Sequence, residues 1–165
     1  FVIKQIKECD LPECLDTIHK SFQTVADDFG LTSENCPTNG AFMPLTRLEN
    51  DYKKGDKMYG LYKGDNIVGF LQLVKKENGV FELEKLAVLP EHRHKGYGRQ
   101  LIRFSEEKVS ELGGTVIIIG IIEENTQLKN WYTQNGFVHT GTRTFSHLPF
   151  TVGFMEMKLC RGARE

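Results

Sequence analysis

Hydrophobic and polar positions succeed one another along this chain in two periods, one of two residues and one near 3.6, and the succession predicts a mixed α/β fold. Residues 2–6 alternate briefly and predict a strand. Leu11, Cys14, Leu15, Ile18, Phe22, Val25, Ala26 and Phe29 then recur at spacings of three and four. Such spacing marks one buried helical stripe, which Gly30 closes. Asp10 stands at the N-cap position, and Glu13 three residues later completes the pattern of a capping box. Residues 31–44 hold turn formers, two prolines and no periodicity, so a loop facing substrate is expected, followed by a short helix over 46–54 that Gly55 ends. Residues 58–62, 67–74 and 80–89 read as strands. Gly64-Asp65-Asn66 and Glu77-Asn78-Gly79 join them by tight turns into an antiparallel meander.

The second half continues with a helix marked by Leu101, Ile102, Ser105, Val109 and Leu112, stopped at Gly113-Gly114. Residues 115–122 are almost continuously β-branched, the composition of a strand buried on both faces. Asn125 is placed to cap a helix carrying Leu128, Trp131 and Tyr132, with Gly136 at its end. Residues 137–145 and 150–159 supply two last strands. No repeat or low-complexity segment interrupts this order. At 165 residues with 39% hydrophobic content, a single domain over 1–165 with one continuous core is expected.

Charge narrows the partners. With 21 basic and 22 acidic residues the net charge is −1, so no global field draws nucleic acid or an anionic membrane. The longest apolar run, 116–122, falls far short of the ~20 residues of a membrane helix. The opening Phe1-Val-Ile-Lys-Gln-Ile lacks the basic-then-apolar pattern of a secretory signal. Cys9, Cys14, Cys36 and Cys160 show no Cys-x-x-Cys spacing and are too few for a disulfide scaffold, which points to reduced thiols and a cytoplasmic protein. His139 and His147 have no metal-ligand partner at suitable spacing, and His19 lies at the edge of the apolar stripe. No metal site is expected.

The chemistry concentrates between Leu86 and Leu101, where an apolar strand passes through a basic, glycine-punctuated turn into an amphipathic helix. Gly96 and Gly98 leave room for close backbone approach, and the first amides of the helix point at a site favouring negative charge. This reads as a cradle for a pyrophosphate. A dinucleotide fingerprint would need a third glycine where Leu101 stands, and a nucleotide-triphosphate loop would need a hydroxyl residue after Gly-Lys, which Gly98-Arg99-Gln100 does not supply.

What remains, Arg93-x-x-Gly96-x-Gly98 after a strand ending in Val88-Leu89-Pro90, resembles the acetyl-coenzyme A motif of the GNAT superfamily of N-acetyltransferases. The stretch with Asn125, Tyr132 seven residues later and then Gly136-Phe137 resembles its other signature. Seven residues are two helical turns, so Asn125 and Tyr132 share a helix face. The order of elements also matches that superfamily over essentially the whole chain, as in its uncharacterised bacterial members. The resemblance implies an α/β fold with a mixed central sheet of about seven strands, flanking helices, and strands 4 and 5 splayed apart. It implies acetyl-CoA as co-substrate. Backbone groups of Leu86, Ala87 and Val88 would hold the pantetheine arm. Arg93, His94, Lys95, Gly96, Tyr97, Gly98 and Arg99 would hold the pyrophosphate, mainly through main-chain amides. Asn125 would bind pantetheine, Lys129 and Arg99 the adenosine phosphates, and Tyr132 would stand beside the sulfur as the acid for the departing thiolate.

Acetyl transfer to an amine needs a proton acceptor, because an ammonium of pKa around 10 cannot attack. Glu82 and Glu84 alternate along one face of their strand. By the resemblance Glu82, six residues before Val88, stands where the histone-modifying branch places its catalytic glutamate, while Glu84 lies one strand repeat closer to the acetyl group. Both remain candidates. The amide of Ala87 or Val88 could stabilise the oxyanion. The acceptor expected is a small-molecule amine; a protein lysine or N-terminus is the alternative, and a non-catalytic acyl-CoA sensor is a third reading. Asp27, Asp28, Glu34, Glu49 and Asp51 make the presumed acceptor segment acidic and favour a cationic amine, and residues 147–150 could line its pocket. Dimerisation is common in the superfamily, and the C-terminal strand could take part in a homodimer.

Overall fold

A computed structural model of the chain describes residues 1–159; Cys160 lies outside the described residues. The elements run β1 (Val2–Gln5), α1 (Leu11–Asp28), α2 (Leu45–Lys54), β2 (Lys57–Lys63), β3 (Asn66–Lys75), β4 (Val80–Val88), α3 (Tyr97–Glu111), β5 (Val116–Ile122), α4 (Thr126–Gln134), β6 (Val138–Thr144) and β7 (Thr151–Lys158). They build a seven-stranded mixed sheet in the order β1-β2-β3-β4-β5-β7-β6. Parallel pairing falls at β4 and β5, where Val80, Phe81 and Glu82 stand opposite Val116, Ile117 and Ile118. That is the place where the resemblance put the split. Two compact units divide the chain: Phe1–Val74 with Glu84–Leu101, and Lys75–Leu83 with the residues from Ile102 onward.

In the first unit the α1 stripe is core, as its periodicity predicts. Leu11, Cys14, Ile18 and Ala26 are buried, and Leu15 and Phe22 pack partly buried against the same cluster as Leu48 of α2 and Phe70 of β3. Each fully buried Leu or Ile contributes about 1.5–3 kcal/mol of transfer free energy. The capping box does not form. Asp10 makes no side-chain cap; its carboxylate accepts from the Tyr62 hydroxyl at 3.0 Å, and Glu13 accepts from the Ile67 amide at 2.9 Å. Both carboxylates serve partners on the sheet, because a buried hydroxyl and a strand amide compete for them as effectively as helix amides do. The 31–44 segment is anchored rather than loose. Cys36 and Met43 are buried, and Asn39 caps a short 3-10 turn at Gly40–Phe42 by accepting from the Ala41 amide. His19 Nε2 lies 2.7 Å from the Met43 carbonyl, which makes it the core-edge residue expected.

In the second unit β5 departs from expectation. Ile117, Ile119 and Ile121 are buried, but Val116 and Ile118 are only half-buried and Gly120 is exposed. Unbroken β-branched composition suits the pleat itself and does not require two covered faces. The turn into β5 is set by two glycines with different reasons: Gly113 takes φ +85°, and a Cβ on Gly114 would lie 2.7 Å from the Phe81 ring. On the far side β7 pairs with both β5 and β6.

Candidate active site

The first unit carries the glycine turn expected to cradle an anion. After β4 the chain makes a 3-10 turn over Pro90–His92, then takes left-handed conformations at His94 (φ 63°) and Gly96 (φ 83°) before α3 begins at Tyr97. The turn that precedes it is closed, with the amides of His92 and Arg93 donating to Leu89 and Pro90. The amides of residues 94–99 find no acceptor among the described residues, the next bonded one being Gln100, to Gly96. His94, Lys95, Gly96 and Arg99 are exposed, Gly98 is half-buried, and only Tyr97 is buried, its ring 4.6 Å from that of Phe1. Unpaired amides at a helix start, flanked by three basic side chains, fit a diphosphate. The residues present therefore fit the coenzyme that the resemblance implies.

Arg93 has a different task. Its guanidinium donates to the Ser21 carbonyl at 2.7 Å and to Thr24 Oγ1 at 3.1 Å, so the side chain ties the turn to α1 and the cradle is left to backbone amides. Ser21, 8% exposed, also accepts from the Val88 amide at 3.2 Å. Leu89, one residue on, donates to Val68 of β3 at 2.9 Å. Thus the end of β4 is held on one edge by β3 and on the other by α1. Of the remaining β4 residues assigned to the pantetheine arm, Leu86 is half-buried and Ala87 buried. Ser21 escaped the sequence reading although a signal existed, since a hydroxyl residue seven positions after Cys14 continues the buried stripe.

Two carboxylates on β4 are half-buried and each has a cation. Glu84 pairs with Lys85 at 3.1 Å, and Glu82 pairs with Lys76 at 3.3 Å. The acidic acceptor segment is less open than its composition predicts. Asp51 accepts from Gln72 at 3.1 Å and from Lys85 at 3.3 Å, and Asp27 accepts from Gln23 at 2.8 Å. Burial works against the Asp51 carboxylate, but Gln72 and Lys85 outweigh it and hold Asp51 below its ordinary pKa.

The second unit carries the other motif. Asn125 caps α4 by accepting from the Leu128 amide at 3.1 Å. Tyr132, 7% exposed, packs edge-on to Phe137 with centroids 5.4 Å apart. Its hydroxyl has no hydrogen-bond partner among the described residues, and burial pushes the phenol well above its ordinary pKa. Burial thus favours the neutral phenol. Lys129 donates to Glu123 at 2.5 Å, and His139 Nε2 meets the other oxygen at 2.8 Å. These two partners, Lys129 first, hold the Glu123 carboxylate below its ordinary range.

Comparisons with known proteins agree with this picture. Residues 26–137 match the model of the acetyltransferase (GNAT) family. An uncharacterized N-acetyltransferase from the pepI 3' region of Lactobacillus delbrueckii subsp. lactis is 30% identical over 158 residues, 87% of each chain. Among solved structures, the ribosomal-protein-S18-alanine N-acetyltransferase of Escherichia coli superposes with a TM-score of 0.75 at 14% identity, covering 96% of this chain and 93% of that one. A spermidine N-acetyltransferase chimera from Vibrio cholerae and hSSAT gives 0.73 at 18% identity, covering 95% and 94%. A Bacillus subtilis acetyltransferase in complex with CoA gives 0.67 at 19% identity, covering 96% and 98%. At these identities the structural likeness speaks for the fold.

Proposed function

The chain belongs to the GNAT family of acetyltransferases, and from that premise we propose that it moves the acetyl group of acetyl-CoA directly to the amine of a small molecule in a cytoplasmic setting. The observation that carries this reading is the exposed row of unpartnered amides at residues 94–99. Acetyl-CoA supplies the acetyl group as a thioester whose carbonyl carbon an amine can attack.

The residues then divide the work. The amides of residues 94–99 bind the linked phosphates, with Lys95 and Arg99 adding charge. Leu86 and Val88 bind the arm through their backbone. Of the two amides expected to stabilise the oxyanion, Val88 is withdrawn because it already donates to Ser21 Oγ, which leaves the Ala87 amide to donate to the carbonyl oxygen as charge builds there. Glu84 or Glu82, directly or through one water, takes a proton from the incoming ammonium so that its nitrogen lone pair is free. A C–N bond forms and the C–S bond breaks, and Tyr132 returns a proton to the sulfur. Ammonium and thioester thus give amide, thiol and one net proton. Asn125 serves the arm while capping its helix.

A small-molecule acceptor is supported by the likeness to a spermidine acetyltransferase, and a protein N-terminus by that to the S18-alanine enzyme. A panel of amines and peptides, scored by free thiol released from acetyl-CoA and paired with calorimetry of coenzyme binding, separates them. Turnover confined to small amines is expected. Turnover of peptides alone would transfer the reading to proteins, binding without turnover would make the chain a sensor, and absence of binding would end the acyltransferase reading.

A further inference from the structure

Lys85 sits where a lysine is costly. Its φ is 54° in the middle of β4, a left-handed conformation that is strained for an L-residue, and its side chain is only 8% exposed. A buried ammonium persists only when its donors are matched. Here three acceptors surround Nζ: Gln72 Oε1 at 3.0 Å, Glu84 Oε1 at 3.1 Å and Asp51 Oδ2 at 3.3 Å. They come from β3, β4 and α2. Gln72 is fully buried and its amide nitrogen donates to Asp51 at 3.1 Å and to Asp56 at 2.8 Å. A flipped amide would set its oxygen against two carboxylates, so the network fixes that oxygen toward Lys85.

The three acceptors are not equivalent. Asp51 is tied to Gln72 and flanked by Lys54 at 3.8 Å, and Gln72 is locked by two aspartates. Glu84 has no partner but Lys85 among the described residues, and its side chain, 27% exposed, keeps an Oε2 that makes no hydrogen bond there. Glu82 is held by Lys76, itself 46% exposed, in a pair that solvent and salt weaken. Strained backbone over-determined by its surroundings is characteristic of functional sites.

We propose that Lys85 is a positioning residue for acyl transfer: anchored by Asp51 and Gln72, its ammonium grips one oxygen of Glu84 and leaves the other aimed to take the proton of the acceptor amine. This rests on the acyltransferase reading and selects Glu84 over Glu82.

The test uses the full chain and an amine found active in the panel, with the variants Glu84→Gln, Lys85→Met, Lys85→Arg and the double Glu84→Gln/Lys85→Met. Glu84→Gln is expected to lower kcat about 100-fold, the scale of general-base catalysis. Lys85→Met should lower it about tenfold with coenzyme affinity unchanged, and Lys85→Arg should restore most of that loss. The double variant should match Glu84→Gln within about twofold, because a residue acting only through Glu84 has nothing left to orient. A merely structural lysine would multiply the two losses, and that outcome overturns the proposal, as does wild-type kcat in Lys85→Met or in Glu84→Gln. If Lys85→Met does not fold, Asp51→Asn replaces it, with a loss of about threefold expected while Glu84 is present and none in the Glu84→Gln background; an equal loss in both backgrounds overturns the proposal. A wild-type chain that released no thiol with any acceptor would instead remove the acyltransferase reading itself, and this proposal with it.

Discussion

Replacing Tyr132 with Phe separates chemistry from architecture with little structural disturbance. The ring packs against Phe137 and Trp131 with centroids 5.4 and 5.0 Å away, and Phe keeps those contacts. The hydroxyl makes no hydrogen bond among the described residues, so none is lost, and the change in stability should stay within about 1 kcal/mol. If the phenol returns the proton to the departing thiolate, kcat should fall about 100-fold, or ~2.7 kcal/mol of activation free energy, while coenzyme affinity holds within about twofold. Stopped-assay kcat, calorimetric coenzyme affinity and urea unfolding of the same preparation give the three quantities. The pH dependence adds a signed check. An unfolded phenol loses its proton near pH 10, whereas burial makes Tyr132 keep it to higher pH; above about pH 10 the unfolded state therefore binds fewer protons and stability falls. The Phe variant should lack the Tyr132 share of that fall and keep the shares of Tyr62 and Cys14, whose groups are also held above their ordinary range. Unchanged kcat would refute the acid role, and a tenfold loss of coenzyme affinity would mean that the hydroxyl binds rather than reacts.

Two further predictions concern packing and thiols. Gly114→Ala would drive a methyl against Val109 and to 2.7 Å from the Phe81 ring; a loss of about 1–3 kcal/mol in urea unfolding is expected, and an unchanged midpoint would show that the β5 turn can yield. In a Cys160→Ser background, a thiol reagent should modify exposed Cys9 within minutes while buried Cys14 and Cys36 stay protected; desolvation first, then Asp10 and Glu13, push the Cys14 thiol up to about 12. Native-state labelling of Cys14 as fast as Cys9 would contradict that packing.

Periodicity made most of the fold legible. The α1 stripe, the Gly55 and Gly113 stops, the seven strands and the Asn125 cap all follow from local rules, because each is decided by neighbours in sequence. The backbone part of the candidate site was the most legible: the glycine turn announces itself through residues that omit side chains. What stayed hidden is long-range. Asp10 and Glu13 have the spacing of a cap, but Tyr62 and the Ile67 amide, more than 50 residues away, claim them. Arg93 looks like a phosphate ligand until Ser21 and Thr24, 72 and 69 residues back, bind it. Lys85 reads as an ordinary strand lysine, and nothing nearby in sequence betrays Asp51 and Gln72. Polar side chains choose partners in space, and a one-dimensional pattern records only the partners one or two turns away.

The position of β7 between β5 and β6 has a consequence for synthesis. The isoleucine-rich β5 and the polar β6 both leave the ribosome before the strand that joins them, so until residues 151–158 emerge each offers an unsatisfied edge of amides and carbonyls. Chains stalled or truncated near residue 150 should therefore be an aggregation-prone species in a cell, and the hazard of these two edges should end abruptly once the eight-residue β7 has been released to zip the two together.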